Sequence, residues 1–278
     1  MGISECAILY SGGTDSTCVA ALLAEQYDRL HLLTFRELGT RGAPSPSQNV
    51  GKLQEKFGRE KFHPHLISVD TLLRHISYDR YLWYVSRHGF FMLSTCGFSS
   101  LSWHVRTIVY CLDHGIRHAA DGLTRELMHF PGHMDGVLVE IRELYGSFGI
   151  AYTNPIRNWD VPPDQRFLQR LVVDPHGFSP ASEVPLSKTS GRYLYEQGLL
   201  PHPNVKGSSL DRAMQHACYP FVLFNIFAFW YYLSRHHYAD YERRMVRLFQ
   251  EKIRGLDPLL KEYQRAGRQS ALGAWIEG

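Results

Sequence analysis

The stretch CAILYSGGTDSTCVAALLA, residues 6–24, decides the expected fold of this 278-residue chain. An apolar run at 6–10 is followed by two adjacent glycines, Gly12 and Gly13, and then by a second apolar run that begins after Thr14. This order predicts a buried strand, a glycine turn and a helix that starts near Thr14. Further short apolar runs at 30–35, 66–69, 117–120 and 150–153 predict four more strands.

Helical patterns lie between these strands, at 49–57, 101–114 and 134–145. Alternating strands and helices predict an α/β fold, a parallel twisted sheet with helices on both faces. Residues 158–185 are rich in Pro, Asp and Gln and predict a loop or lid, and the chain after Pro201 has helical patterns. We therefore expect a domain over residues 1–200 and a C-terminal helical region over residues 201–278.

Composition narrows the class of protein. Apolar residues make up 44% and charged residues 21%, which is typical of a globular chain with a full core. The net charge is only +3, and acidic residues interrupt the two most basic stretches, Arg235–Arg247 and Lys252–Arg268. We interpret these stretches as solvated helix faces in preference to a nucleic-acid surface.

Location is inferred from what the sequence lacks. The N-terminus has neither the basic region nor the cleavage site of a signal peptide. The longest apolar run, residues 219–233, contains Pro220 and Asn225 and is shorter than the roughly 20 residues of a membrane span, so it predicts a buried helix and no membrane partner. The five scattered cysteines do not form a disulfide framework, so we expect a cytoplasmic protein.

The glycine turn has the chemistry of a phosphate-binding loop. Glycines let backbone N–H groups approach an anion, and the start of a helix directs free N–H groups and a positive dipole end toward it. A carboxylate in such a loop suits a bridging Mg²⁺, and Asp15 is the candidate metal ligand. Neither a Walker A lysine nor a GxGxxG pattern is present. The predicted nucleotide-binding residues here are Ser11, Gly12, Gly13, Thr14, Asp15 and Ser16.

SGGTDS after a buried first strand resembles the SGGxDS signature of the PP-loop (N-type) ATP pyrophosphatase superfamily. That superfamily includes tRNA thiouridylases, GMP synthetase, asparagine synthetase and 7-cyano-7-deazaguanine synthase. The resemblance implies an adenine nucleotide alpha hydrolase-like fold, ATP and Mg²⁺ as cofactors, and adenylylation of a substrate oxygen with release of pyrophosphate. It covers roughly residues 5 to 220 and leaves the C-terminal helices unmatched.

Three further segments match the order of elements in that superfamily. Thr34 and Phe35, at the end of the second strand, occupy the place of adenine-contacting residues. Gly122 occupies the place of a glycine turn that faces the nucleotide. Lys188, in Pro185-Leu186-Ser187-Lys188, resembles a basic residue near the phosphates that the resemblance makes catalytic together with Asp15.

Two cysteines lie where sulfur-transferring relatives place theirs. Cys96 begins CGFSS, which resembles a Cys-x-x-Cys pair in which Ser99 replaces the second cysteine, and Cys218 follows Lys188. Both are candidate catalytic thiols, with His104 and His216 as candidates for lowering their pKa. Cys6, Cys18 and Cys111 are assigned to packing. The chain cannot supply the four closely spaced cysteines of a structural zinc cluster.

Three functions remain open from sequence. The first is an adenylating sulfurtransferase that acts through Cys96, Cys218 or both, with a sulfur donor protein as partner. The second is an adenylating ligase that forms an amide or nitrile, as 7-cyano-7-deazaguanine synthase does but without its zinc cluster. The third is an adenine-nucleotide-binding regulator without turnover. A small molecule, a modified base and tRNA are all open as substrates, and so is assembly as a homodimer.

Overall fold

The computed structural model describes residues 4–37, 40–41, 47–125, 128–160, 188–205, 208, 210, 214, 217–218, 224 and 226–277. Its central sheet contains five parallel strands in the spatial order β4-β2-β1-β5-β6. These strands are β1 (Glu5–Leu9), β2 (Arg29–Arg36), β4 (Phe62–Ser68), β5 (His118–Asp121) and β6 (Ala151–Thr153). A separate antiparallel pair is formed by the two-residue strands β3 (Thr40–Arg41) and β7 (Ala217–Cys218).

Helices cover both faces of the central sheet. In chain order they are α1 (Thr14–Leu23), α2 (Ser47–Phe57), α3 (Asp70–Tyr78), α4 (Tyr81–His88), α5 (Thr95–His114), α6 (Asp135–Ser147), α7 (Ser190–Glu196), α8 (Tyr238–Ala266) and α9 (Ala271–Glu277). Short 3₁₀ turns lie at Arg59–Lys61, Gly89–Leu93, Pro131–His133 and Gly267–Gln269, and a π-helical segment lies at Ile226–Tyr232. The fold is therefore the α/β, Rossmann-like architecture that alternating strand and helix patterns predict.

Two hydrophobic cores lie on the two faces of the sheet, because successive strand residues point to opposite sides. In β1, Ala7 packs into the core formed with α5, α6 and α8, whereas Ile8 packs into the core formed with α1, α2 and α7. Both side chains have no exposed surface. This division puts the glycine turn and α1 on one face, and α5, which carries Cys96, on the other.

The C-terminal helices share a core with the first 200 residues. Tyr241, Met245 and Leu248 of α8 are fully buried in the same cluster as Ile108 and Ile141. The boundary expected at residue 200 stays a prediction about domains, but α8 packs directly on the sheet-covering helices. Among the described helices, none combines the length and apolar character needed to cross a bilayer.

Two of the differences between predicted and observed elements concern the third strand and the segment 219–233. The third strand in chain order, β4, begins at Phe62 and not at Leu66 as predicted. Phe62 is buried, but His63 and His65 interrupt the apolar pattern before Leu66. The buried helix expected over 219–233 is wrong for its described part. Ile226–Tyr232 is π-helical, and Trp230 is 78% exposed while Ala228 packs inward.

Candidate nucleotide-binding site

The reversal point of the strand order lies between β1 and β5. From β1 the chain adds β2 and then β4 on one side, and it then crosses to add β5 and β6 on the other side. In an open α/β sheet the crevice at the carboxyl ends of the two strands that flank such a reversal is the usual ligand site. The segments that follow these two strands are the loop at Ser11–Ser16 and the turn at Gly122.

The loop itself is a short glycine turn that opens a helix. Gly12 has a φ of +82°, which is a left-handed conformation that glycine adopts without strain. Gly13 is the N-cap of α1, and no side chain caps it. The first N–H groups of α1 therefore point out of the helix at the carboxyl end of β1, with the positive end of the helix dipole.

Hydroxyl groups of the loop are arranged around this helix start. Ser11 Oγ lies 3.1 Å from Ser16 Oγ and accepts a hydrogen bond from the Gly13 N–H at 3.3 Å. Thr14 Oγ1 is buried, and within the described part of the chain it has no hydrogen-bond partner. A buried hydroxyl without an acceptor costs free energy that a bound phosphate oxygen would recover.

Gly122 packs directly on the start of α1. A Cβ at this position would lie 2.7 Å from both the Asp15 carbonyl carbon and the Ser16 nitrogen. A Cβ essentially never makes contacts that short, so any larger residue here would require the backbone to shift. The strand register explains why Gly122 lies so close to α1. Asp121 pairs with Leu9 in the sheet, so Gly122, the next residue, faces the glycine turn.

Buried polar side chains hold the turn after β5. Asp121 accepts hydrogen bonds from the Leu123 N–H at 3.0 Å, from Asn154 Nδ2 at 2.6 Å and from the Tyr152 hydroxyl. Burial raises the pKa of Asp121, while these hydrogen bonds oppose the rise. Arg157 donates to the Thr124 carbonyl at 2.6 Å and pairs with Asp135 at 2.8 Å. The position of Gly122 is thus fixed from both sides.

The glycine turn is anchored by two residues outside it. Asn49 of α2, which sequence reasoning did not select, donates from Nδ2 to the Gly12 carbonyl at 2.8 Å. Thr34, predicted to contact adenine, is buried and donates its hydroxyl to the Tyr10 carbonyl at 2.8 Å. The Thr34 hydroxyl therefore stabilises the backbone that leads into the loop. A contact between Thr34 and an adenine base stays a prediction.

Asp15 lies at the contact between α1 and α7. The Ser190 hydroxyl donates to Asp15 Oδ1, and Gly191 of α7 packs beside Thr14. Lys188, two residues before Ser190, is exposed, and its Nζ lies 4.6 Å from the centre of the Trp159 ring. The charges of Asp15 and Lys188 both act on the nearby Cys18 thiol. The structure therefore brings these two predicted site residues to one end of α1.

A buried carboxyl group marks the carboxyl end of β2. Glu37 is 6% exposed, accepts a hydrogen bond from Trp103 Nε1 at 3.3 Å and is also hydrogen-bonded to Ser99. Burial raises the pKa of Glu37. Phe35, predicted to contact adenine, stacks on Trp103 with a ring separation of 6.2 Å. Sequence reasoning missed Glu37 because its partners lie more than 60 residues further along the chain.

Cys96 lies in the first turn of α5, since that helix begins at Thr95 and not at Leu101 as predicted. Its thiol is partly buried against the core that contains α8, close enough to Tyr241 to act electrostatically on that phenol. Ser99, one turn later, contacts Glu37. Cys96 is thus at the carboxyl edge of the sheet, one helical turn beyond the Glu37 contact.

Cys218 is placed by its backbone alone. β7 pairs Cys218 with Thr40, three residues after Glu37. Cys218 therefore lies beside the segment that follows β2, whereas Cys96 lies one helical turn from Ser99, which contacts Glu37. The distance between the two thiols stays a prediction. Pro185, Leu186, Ser187 and His216 lie outside the described residues, as does most of the expected lid at 158–185.

His104 does not fit the expected role of a cation that activates a thiol. It is 1% exposed, and its Nδ1 lies 3.2 Å from the Tyr145 hydroxyl. Burial lowers the pKa of His104 to about 3, so the ring is neutral at physiological pH. The expectation was wrong because His104 lies two turns into α5, on the buried side of the helix.

The three cysteines assigned to packing do occupy core positions. Cys6, Cys18 and Cys111 are each at most 2% exposed, and burial raises the pKa of each thiol. Within the described residues, no group of three or more His, Cys, Asp or Glu side chains is arranged to hold a metal ion. Asp15, in the glycine turn, is a carboxylate that could contact a bridging magnesium ion.

Comparison with known proteins leaves the family open. No protein-family model matches the chain, and no curated protein matches it. One solved structure with some similarity is described as a predicted subunit of a tRNA methyltransferase from Methanocaldococcus jannaschii. It is 19% identical over 70% of this chain and 89% of its own length, with a TM-score of 0.35. A likeness at this level assigns neither a family nor a function.

Proposed function

We propose that this protein is an ATP pyrophosphatase that adenylylates a carbonyl oxygen of its substrate. The observation that carries the proposal is the glycine turn at the reversal point of the sheet, with Gly122 packed on the first turn of α1. That turn combines uncapped helix N–H groups with the buried Thr14 hydroxyl, a donor set that suits a polyphosphate.

The residues have distinct roles in this reaction. The substrate oxygen attacks the α-phosphorus of ATP, the bond to the bridging oxygen breaks, and pyrophosphate leaves with the electron pair. The N–H groups of the glycine turn and the Thr14 hydroxyl stabilise the negative charge on the departing pyrophosphate. Lys188, with its exposed ammonium group, would approach the same phosphates. Mg²⁺, bound through Asp15, would neutralise further phosphate charge.

Sulfur transfer is the second step that we propose. A persulfide on Cys96 or Cys218, loaded by a sulfur donor protein, attacks the adenylylated carbon through its terminal sulfur, and AMP leaves. The second thiol then releases the product by forming a disulfide, which a thiol reductant must reduce. The support is that Cys218 pairs with Thr40 in the segment after β2, and that Cys96 lies one helical turn from Ser99, which contacts Glu37 directly after the same strand.

Nucleotide products test the first step. Incubation of the protein with Mg-ATP and a deproteinised cell extract should yield AMP and pyrophosphate, separated by ion-exchange chromatography. Asp15→Asn should lower turnover by at least about a hundredfold, because it removes the negative charge that would hold the metal while the side-chain volume is kept. Asp257→Asn, which breaks an exposed pair with Lys261, is the matched control and should turn over normally. ADP and phosphate as products would reject the proposal.

The cysteine variants separate the proposed second step from its alternatives. Cys96→Ala and Cys218→Ala should still form AMP but give no thiolated product by mass spectrometry. Cys111→Ala removes a core thiol and should retain thiolation in the protein that folds. Normal product formation in both site variants would reject sulfur relay and favour the ligase. Tight ATP binding without AMP formation in the wild-type protein would favour the regulator.

A further inference from the structure

A cavity of about 310 Å³ lies at the outer edge of the sheet, between the end of β4, the first turn of α3, the middle of α5 and α9. Its polar wall contains Ser68, Asp70, Thr71 and Arg106, and its apolar wall includes Ile67 and Trp275. This volume is in the range of small-molecule sites. The cavity contains no residue of the glycine turn and is separated from β1 by β2, so it does not depend on the proposed nucleotide chemistry.

Arg106 is the residue in this cavity that indicates a ligand. Its Nε and Nη1 atoms are buried, and within the described part of the chain neither has a hydrogen-bond acceptor. Asp113 acts on Arg106 electrostatically but accepts its hydrogen bonds from the Tyr263 hydroxyl, at 2.9 and 3.1 Å. Arg106 lines the cavity and is partly buried, so an anionic group in the cavity would be attracted to its positive charge.

A negatively charged side chain in the same cavity places a second requirement on the ligand. Asp70 lines the cavity and accepts a hydrogen bond from Ser68 Oγ at 3.0 Å. A carboxylate has about four acceptor positions, so Asp70 can also accept from a ligand. A ligand that carried only negative charge would be repelled by Asp70, whereas one with both an anionic group and a cationic donor would match Arg106 and Asp70 together.

The apolar wall of the cavity favours a ligand with an apolar side chain. Trp275 is held in place by stacking on His75 of α3, with ring centres 4.0 Å apart, and it faces the same space as Ile67. We propose that this cavity binds a small amino-carboxylate with an apolar side chain, whose carboxylate pairs with Arg106, whose ammonium donates to Asp70 and whose side chain packs on Trp275. The site is independent of the glycine turn.

Three probes that differ by one charged group test the proposal. L-leucine has both charges, 4-methylpentanoate lacks the ammonium, and 3-methylbutylamine lacks the carboxylate. Saturation-transfer NMR titrations with the full chain should rank the affinities in that order. Each missing charged contact should weaken binding about tenfold or more. Equal binding of the amine and leucine would overturn the proposal, as would the absence of saturable leucine binding.

Variants then locate the site. Arg106→Met should abolish leucine binding, and Asp70→Asn should reduce it to the level of 4-methylpentanoate. Arg265→Met removes an exposed guanidinium group from neighbouring α8 and is the matched control, with unchanged binding. If Arg106→Met does not fold, Ile276→Trp fills the cavity from α9 without changing its charges, and it should also prevent binding. Wild-type leucine affinity in any of the three cavity variants would reject this assignment.

Discussion

Replacing Gly122 with alanine tests the contact on which the candidate site depends. The added Cβ would lie 2.7 Å from two backbone atoms of Asp15 and Ser16 and 2.9 Å from the Ser16 Cα. An ordinary contact is about 3.4 Å or longer, so the turn and the start of α1 must separate by roughly 0.7 Å. Because all three atoms belong to the backbone, no side-chain rotation can relieve the clash.

The expected magnitude follows from that displacement. Overpacking of a well-packed contact costs about 1–3 kcal/mol. In a chain of this size each kcal/mol lowers the Tm by roughly 2–4 °C, so Gly122→Ala should lower the Tm by about 2–12 °C. The displacement also moves the N–H groups at the start of α1, and ATP affinity should fall by at least about tenfold if those groups bind phosphate.

Differential scanning fluorimetry and isothermal titration calorimetry with Mg-ATP measure the two effects. Gly255→Ala is the matched control, because a Cβ at Gly255 in α8 meets nothing within 4 Å. Removing an exposed glycine from a helix interior should raise stability by up to about 1 kcal/mol, which is the opposite direction. A Gly122→Ala protein with the Tm and ATP affinity of the wild type would refute the packing argument.

Two other perturbations test the anchoring of the site and the acid sensitivity of the core. Asn49→Ala leaves the Gly12 carbonyl without its 2.8 Å donor. The free energy of unfolding, measured in urea, should fall by about 1–3 kcal/mol, and ATP binding should weaken. Wild-type values of both quantities would contradict the anchoring role of Asn49. Burial lowers the pKa of His104 to about 3 and that of His133 to about 4, from an ordinary value of 6.5. Because the folded state binds these protons less well than the unfolded state, stability is intact above pH 6.5 and falls as the pH drops toward the folded pKa values. By pH 4 the loss should reach roughly 3 kcal/mol from each histidine. Urea unfolding at pH 7, 5.5 and 4 measures this loss, and His104→Phe should remove about half of it; equal stability at all three pH values would show that the rings are not buried neutral.

Local patterns predicted the fold and the glycine turn well, because both depend on neighbours in sequence. The strand at β1, the turn at Gly12 and the helix start at Thr14 follow from apolar runs and glycine freedom within twenty residues. The start of β4 was missed because His63 and His65 interrupt its apolar pattern, and the start of α5 was missed because small polar residues open that helix.

The supporting residues of the site could not be predicted, because their partners are distant in sequence. Asn49 contacts Gly12 across 37 positions, Glu37 contacts Trp103 across 66, and Arg157 contacts Thr124 across 33. Each is a polar residue whose sequence context resembles an ordinary loop or helix residue. Only the sheet order brings these pairs together, so a single sequence carries no local signal for them.

Ser99 has a physical role in the structure that the comparison with a Cys-x-x-Cys pattern did not indicate. In sequence, Ser99 is the missing half of a Cys-x-x-Cys pair. In the structure it hydrogen-bonds the buried Glu37, and a hydroxyl is a much stronger donor to a carboxylate than a thiol. A cysteine at position 99 would leave Glu37 with weaker support, so the serine has a physical reason of its own. Sulfur relay in this chain, as we propose it, therefore depends on Cys96 acting with Cys218, and not on a pair within α5.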